Sequence, residues 1–383
     1  MPTALRRGQR EQPVTSSAIS DVLLDPHTAT SETRASDPNQ GFLPAIQGLR
    51  GVAAMSVIFV HLYDMPLLAG FMPQIWPWLH STINMGGRGV ELFFMISGFL
   101  IPASLVRHRS VGKFFYDRCL RILPVFVLLH LAVFTMGPLI GYKFFRGIDL
   151  GTYVELFFVN LFFLPEVLGL PFSQQNAWTL TYEWAFYILF AAIFIALIRQ
   201  RSWVLALPLI ALAVAGIAVR PISAFFLIGL LFSAVDFRIS IPGRSGLMAG
   251  LVCAIAMYVS IEYLHPLVGL VPGFLLFGMV VAPNSGIAAA LSAPSLQYLG
   301  KISYSLYLVH PFALFPLQMI GVRLAERGTS LWLLSAAFAG IGLVLSIIAG
   351  AVSYKLIEVR FRRILDAVIM HIFRAEKDAP RMA

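Results

Sequence analysis

The stretch QGLRGVAAMSVIFVHLYD, residues 47–64, is apolar nearly everywhere except at Arg50 and His61. Those two stand eleven residues apart, about three full turns, so a helix carries them on one face roughly 16 Å apart along its axis. Arg50 opens the apolar run, where a membrane surface is expected, and His61 falls well inside it. An ionisable side chain at that depth is expensive to keep and marks a functional site by default. The pair reads as a path from a charged surface to a buried proton-handling group.

Composition agrees with a membrane setting. The chain has 383 residues, 58% hydrophobic and 12% charged, with a mean hydropathy of +0.80. Soluble domains carry about 25% charged residues, so half that share points to an all-α, polytopic membrane helix bundle. The net charge of +9 does not indicate nucleic acid. Its basic residues are not gathered on one polar face but cluster in short links between apolar runs, as topology determinants do. Cys119 and Cys253 lie in different segments with no CxxC or Cys/His spacing, so neither a disulfide framework nor a metal site is expected.

Residues 1–40 are rich in Ser, Thr, Arg, Asp and Pro, lack a signal-type apolar run, and are expected to form a disordered cytoplasmic tail. The membrane domain is expected over 41–365, with a cytoplasmic C-terminal tail over 366–383. Candidate helices run near 50–70, 89–106, 122–140, 178–198, 203–219, 221–236, 245–262, 267–283, 302–321 and 331–354. About ten transmembrane helices with both termini cytoplasmic place the richer basic links inside, among them Arg118/Arg121, Arg199/Arg201 and Arg360/Arg362/Arg363. This count requires that YVELFFVNLFFLP (153–165) does not cross; its dozen residues suit an interfacial or re-entrant segment.

Further constellations sit on this frame. RGVELFFMISGFLI (88–101) puts Glu91 at the outer mouth of the second helix, with Ser97-Gly98 near its middle reading as a place of close helix approach. FFYDRCLRILP (114–124) sets Arg118 and Arg121 one turn apart at the start of the third helix, either as topology markers or as a bidentate phosphate clamp. WTLTYEWAFYI (178–188) places Glu183 among aromatic residues with Tyr187 one turn on; such a glutamate faces the bundle interior, as a functional group or as an arginine's partner. LGKISYSLYLVHPF (299–312) carries Ser303, Tyr307 and His310 as a polar stripe, and Pro311 removes the hydrogen bond to the Tyr307 carbonyl beside His310. Glu358, among basic residues at the end of the last helix, reads as a surface salt bridge.

Together these blocks resemble the acyltransferase-3 family of integral membrane acyltransferases. The family's Arg-x10-His signature matches Arg50 and His61, and its G-V-x-L-F-F-x-x-S-G-F-L-I block matches residues 89–101. Its R-x-x-R pair matches Arg118 and Arg121. W-[ST]-L-x-x-E-x-x-F-Y matches Trp178 to Tyr187, and L-G-x-x-S-Y-S-x-Y-L-x-H matches residues 299–310. The likeness covers residue 42 to about 363. It departs from the usual pattern at Trp184, where a second acidic residue is common, and at Val359, where E-P is usual. The chain is expected to lack the soluble esterase-like domain that some relatives append.

The resemblance implies a bacterial inner-membrane enzyme that moves an acyl group, acetyl in the first instance, from acetyl-CoA or another acyl-CoA. The acceptor it implies is a hydroxyl of a cell-surface or exported carbohydrate, free or lipid-linked. Arg118, Arg121 and Arg50 would then bind the donor, while His61 acts as general base or takes the acyl group transiently. Arg50, Glu183 and His310 join His61 as candidate catalytic residues, and Glu91, Asp64, Tyr187, Ser303 and Tyr307 are candidate substrate-side residues. Asp64, one turn above His61, either orients the imidazole or sits in the outer interface. O-antigen, exopolysaccharide, peptidoglycan, a lipo-oligosaccharide or a macrolide all fit as acceptor. A proton-coupled transporter also wants intramembrane His, Glu and Arg, but the chain shows no related halves with broken helices in corresponding positions.

Overall fold

The computed structural model describes residues 43–108 and 110–378; the expected 1–40 tail lies outside the described residues. Among these the chain is helical, with no strand. Helix α1 (Pro44–Leu68) starts with Pro at its first position, where the missing N–H costs nothing. It is followed by the short α2 (Pro77–Asn84), α3 (Gly89–His108) and α4 (Val111–Leu139), the last capped by the Ser110 side chain. A short α5 (Leu150–Leu161), capped by Asp149 on the Thr152 N–H at 2.8 Å, precedes α6 (Trp178–Phe194). Then come α7 (Trp203–Val219), α8 (Phe225–Ala234), α9 (Gly243–Tyr263), α10 (Leu270–Val280), α11 (Gly286–Leu291), α12 (Pro294–Glu326), α13 (Leu331–Ser353) and α14 (Arg362–Asp378).

Among the described residues seven helical stretches are long and apolar enough to cross a membrane: Pro44–Leu68, Pro77–His108, Val111–Leu139, Gln175–Arg199, Gly243–Tyr263, Pro294–Glu326 and Leu331–Ile372. Each coincides with one expected span to within two residues at its C-terminal end or contains it. The other three expected spans correspond to shorter apolar helices, Trp203–Val219, Pro221–Ala234 and Leu270–Val280. Leu150–Leu161, expected not to cross, has 12 residues and a length of about 18 Å against a hydrocarbon core of about 30 Å. Two boundaries move appreciably. α4 begins eleven residues before the expected 122, because a helix tolerates the charged stretch 113–121 once Ser110 caps it; Arg118 and Arg121 therefore lie inside the helix, not at its start. Residues 366–378, assigned to a tail, continue as part of α14.

Two close approaches decide where the functional side chains meet. α1 packs along α12, and α3 along α8. At the first contact a methyl on Gly300 would lie 1.7 Å from the Gln47 carbonyl oxygen. At the second, a methyl on Gly98 would lie 2.1 Å from the Phe226 carbonyl, so Gly98 has the close-packing role expected of it. Rings of Phe94, Phe226 and Phe186 stack at 4.4 and 4.3 Å, joining α3, α8 and α6. Gly300→Ala should therefore push α1 from α12 and cost about 1–3 kcal/mol. Gly340→Ala, where a methyl meets nothing within 4 Å, should leave the melting temperature unchanged. Equal melting temperatures for the two variants in detergent would show that the helices can separate at Gly300 freely.

Candidate active site

Five helices converge on an internal cavity of about 80 Å³. α1 contributes Arg50; α3, Ser97; α4, Arg118 and Arg121; α6, Glu183 and Tyr187; and α12, Tyr304 and Tyr307. The 3.6-residue repeat puts Arg118 and Arg121 on one face of α4, and the tertiary fold turns that face inward. Arg118 donates from Nη2 to the Ser104 hydroxyl at 2.8 Å and lies over the Phe114 ring at 5.7 Å. Its Nε is buried with no partner among the described residues. Glu183 makes no ion pair within 4 Å among those residues; it accepts from Ser97 Oγ at 3.2 Å and from the Tyr187 hydroxyl. The alternative of Glu183 as an arginine's contact partner is therefore not what the fold adopts.

A second carboxylate reaches this region from the far end of the chain. Glu358 accepts from the backbone N–H of Ser305 at 3.0 Å and from the Ser305 hydroxyl, to which Ser353 donates at 3.1 Å. It is not the expected surface salt bridge, because the helix turn after α13 brings it against α12. Its charge lies within reach of Arg121 and Arg50. Three guanidiniums that line the cavity, Arg50, Arg118 and Arg121, thus face the two carboxylates Glu183 and Glu358, a formal excess of one positive charge. A buried surplus charge is costly unless an anion answers it. A lining of this charge suits an anionic ligand.

Three turns along α1, the His61 side chain meets His310. His61 Nδ1 lies 2.7 Å from His310 Nε2, and the rings stack with centroids 4.9 Å apart. His310 is fully buried, and its Nδ1 contacts the Leu306 carbonyl at 3.0 Å. Pro311 has no N–H to give the Tyr307 carbonyl. Asn176, in the turn before α6, fills that gap by donating from Nδ2 to the Tyr307 oxygen at 2.9 Å, and it also lies 3.5 Å from His310 Nε2. Tyr307 lines the arginine cavity and its ring lies 6.3 Å from that of His310, so the two clusters adjoin.

Of the residues expected at the site, Arg50, Arg118, Arg121, Glu183, Tyr187 and Tyr307 share the cavity, and His61 and His310 pair beside it. Three do not join them. Asp64 makes no hydrogen bond to His61 among the described residues; His310 from α12 occupies the orienting nitrogen. Ser303 is fully buried with its hydroxyl unpartnered and does not line the cavity. Glu91 is 2% exposed and faces Arg88 at 3.7 Å, which in turn bonds Glu262 at 2.8 Å. That cluster adjoins Ser56, about 140° round α1 from His61. The sequence reading missed Asn176 and Tyr304, and gave other roles to Glu358, read as a surface salt bridge, and to Ser97, read as a place of close packing. Only Asn176 had a usable signal: the carbonyl orphaned by Pro311 requires a donor from elsewhere.

A bundle of this hydropathy, with seven helices among the described residues long and apolar enough to cross, is a multi-pass membrane protein. Residues 43–351 match the family model described as "Acyltransferase domain", and the chain belongs to the acyltransferase-3 family of membrane acyltransferases. It is 30% identical over 308 residues to the exopolysaccharide production protein ExoZ of Rhizobium meliloti, covering 73% of this chain and 90% of that one. It is 24% identical over 366 residues to acyltransferase MdmB of Streptomyces mycarofaciens, covering 84% of this chain and 92% of the relative. Nodulation protein 10 of Rhizobium leguminosarum bv. viciae is 28% identical over 41% of this chain and 49% of its own length. No solved structure matches.

Proposed function

We propose that this membrane acyltransferase transfers an acyl group, acetyl in the first instance, from cytoplasmic acyl-CoA to a hydroxyl of a cell-surface or exported carbohydrate. The relative named for exopolysaccharide production supports a carbohydrate acceptor, free or lipid-linked. One observation carries the donor assignment: a single helix bears Arg50 in the cationic cavity and His61 three turns away. The cavity residues fit a polyanionic donor, since a surplus positive charge and an unpartnered Arg118 Nε–H both call for an acceptor oxygen. At about 80 Å³ the cavity holds only a small part of such a molecule, and the nucleotide end would remain outside it.

In this reading Arg50, Arg118 and Arg121 bind and orient the donor, and the thioester carbonyl comes within reach of His61. His61 takes the proton of the attacking hydroxyl and returns it to the departing thiolate. Glu183, held by Ser97 and Tyr187, offsets part of the mutual repulsion of the arginines. Replacing Arg118 and Arg121 together by alanine should weaken coenzyme A binding at least about tenfold in purified protein and leave the acceptor KM unchanged. Unchanged affinity would place the donor elsewhere. Sidedness has its own check: cysteines at 201 and 240, in a background without Cys119 and Cys253, should resist an impermeant thiol reagent in intact cells, while one at 146 labels. Labelling at 201 and 240 would show that residues 153–165 cross, moving Glu183 toward the donor's entrance.

A further inference from the structure

We infer that His310 is a positioning residue that fixes His61 in a single tautomer, with its proton on Nδ1, so that the Nε2 lone pair is the reacting base. This rests on the assignment of His61 to catalysis made above. The argument begins at the Leu306 carbonyl, which can only accept and lies 3.0 Å from His310 Nδ1. That nitrogen therefore carries the hydrogen. In an uncharged imidazole the other nitrogen, Nε2, is then a lone pair and accepts. His61 Nδ1, 2.7 Å away, must donate to it. The proton of His61 is thereby placed on Nδ1, and its Nε2 is left as the lone pair.

A second anchor reaches the same answer independently. The Tyr307 carbonyl orphaned by Pro311 sets the orientation of the Asn176 amide, because only Nδ2 can donate to it at 2.9 Å. The same Nδ2 faces His310 Nε2 at 3.5 Å, so both neighbours of that nitrogen are donors. The opposite tautomer would set a lone pair of His310 against the Leu306 carbonyl and face its Nε2–H with the Asn176 amide, losing both bonds in a buried site. No carboxylate bonds either ring among the described residues. His61 Nε2 has no hydrogen-bond partner among those residues, and the side chain is only half-buried, which leaves the lone pair open to a substrate.

The consequence for the transfer step is specific. The acceptor O–H bond breaks as its proton moves to His61 Nε2, the oxygen forms the new C–O bond, and the C–S bond breaks. The thiolate then takes the proton from Nε2, returning His61 to its starting tautomer. His310 touches neither substrate. It keeps Nδ1 protonated throughout and shares the transient positive charge through the 2.7 Å contact.

The test is selective 15N-histidine labelling of the full chain in lipid nanodiscs, with the His61 signal assigned by its loss in His61→Ala. The expected wild-type spectrum shows His61 protonated at Nδ1 and bare at Nε2. A proton on Nε2 instead, or a rapid mixture of both forms, overturns the inference, and this measurement needs no variant of His310. In kinetics, His310→Ala should lower kcat at least about tenfold with both KM values held within about twofold. His310→Gln, whose amide oxygen can accept from Nδ1–H, should recover a large part of it. Equal activity of the two variants, or an unaltered kcat in His310→Ala, overturns the positioning role. An active His61→Ala would instead overturn the functional reading on which the inference rests.

Discussion

His61→Ala loses acyl transfer by about 10²–10⁴-fold, the range over which a positioned base contributes to proton transfer. Membrane insertion and detergent stability stay near wild type, because the site removes one half-buried imidazole and leaves the α1 backbone against α12 untouched. The measurement is acyl release from acetyl-CoA and acyl gain on acceptor, in purified protein reconstituted with lipid. Loss of both half-reactions together fits a base that acts in the single transfer step. Activity within about threefold of wild type would remove His61 from the mechanism.

Arg50→Ala should be nearly as damaging, through a different quantity. Arg50 lines the cavity with Arg118 and Arg121, and its removal leaves two guanidiniums against Glu183 and Glu358 with no positive charge over. The attraction for an anionic donor disappears. Hydrogen bonds to charged groups contribute about 1.5–3 kcal/mol, so kcat/KM for acyl-CoA should drop by about 10²-fold. Arg50→Lys restores the charge without the planar fork and should recover only part of the loss. Full recovery in Arg50→Lys would mean that charge alone matters there; a kcat/KM within about threefold in Arg50→Ala would take Arg50 out of donor binding.

Much of the fold was legible because hydropathy and helix length are local properties. Among the described residues, each of the seven long apolar helices overlaps an expected span, and the segment 153–165, expected not to cross, largely coincides with a helix of 12 residues. Boundaries erred where charge was taken as a stop: Ser110 caps α4 well before Arg118, and the helix carries both arginines through the bundle. In the site, the local pairs were also readable. Arg50 with His61, and Arg118 with Arg121, share faces by the helical repeat alone.

What the amino-acid order determined by itself is therefore every relation within one helix: spacing, face, and the carbonyl that Pro311 leaves free. Which helix lies opposite was decided only by the tertiary structure. The partner of His61 is His310, 249 residues on, and not Asp64 three residues away. Glu358 comes to Ser305 across 53 residues, and Glu91 is carried off to Arg88 and Glu262 on another side of α1. The physical reason is that periodicity constrains neighbours along the chain, whereas opposition between helices is set by backbone contact. Gly300 against Gln47 and Gly98 against Phe226 admit no side chain between them, and those two contacts choose which polar faces meet.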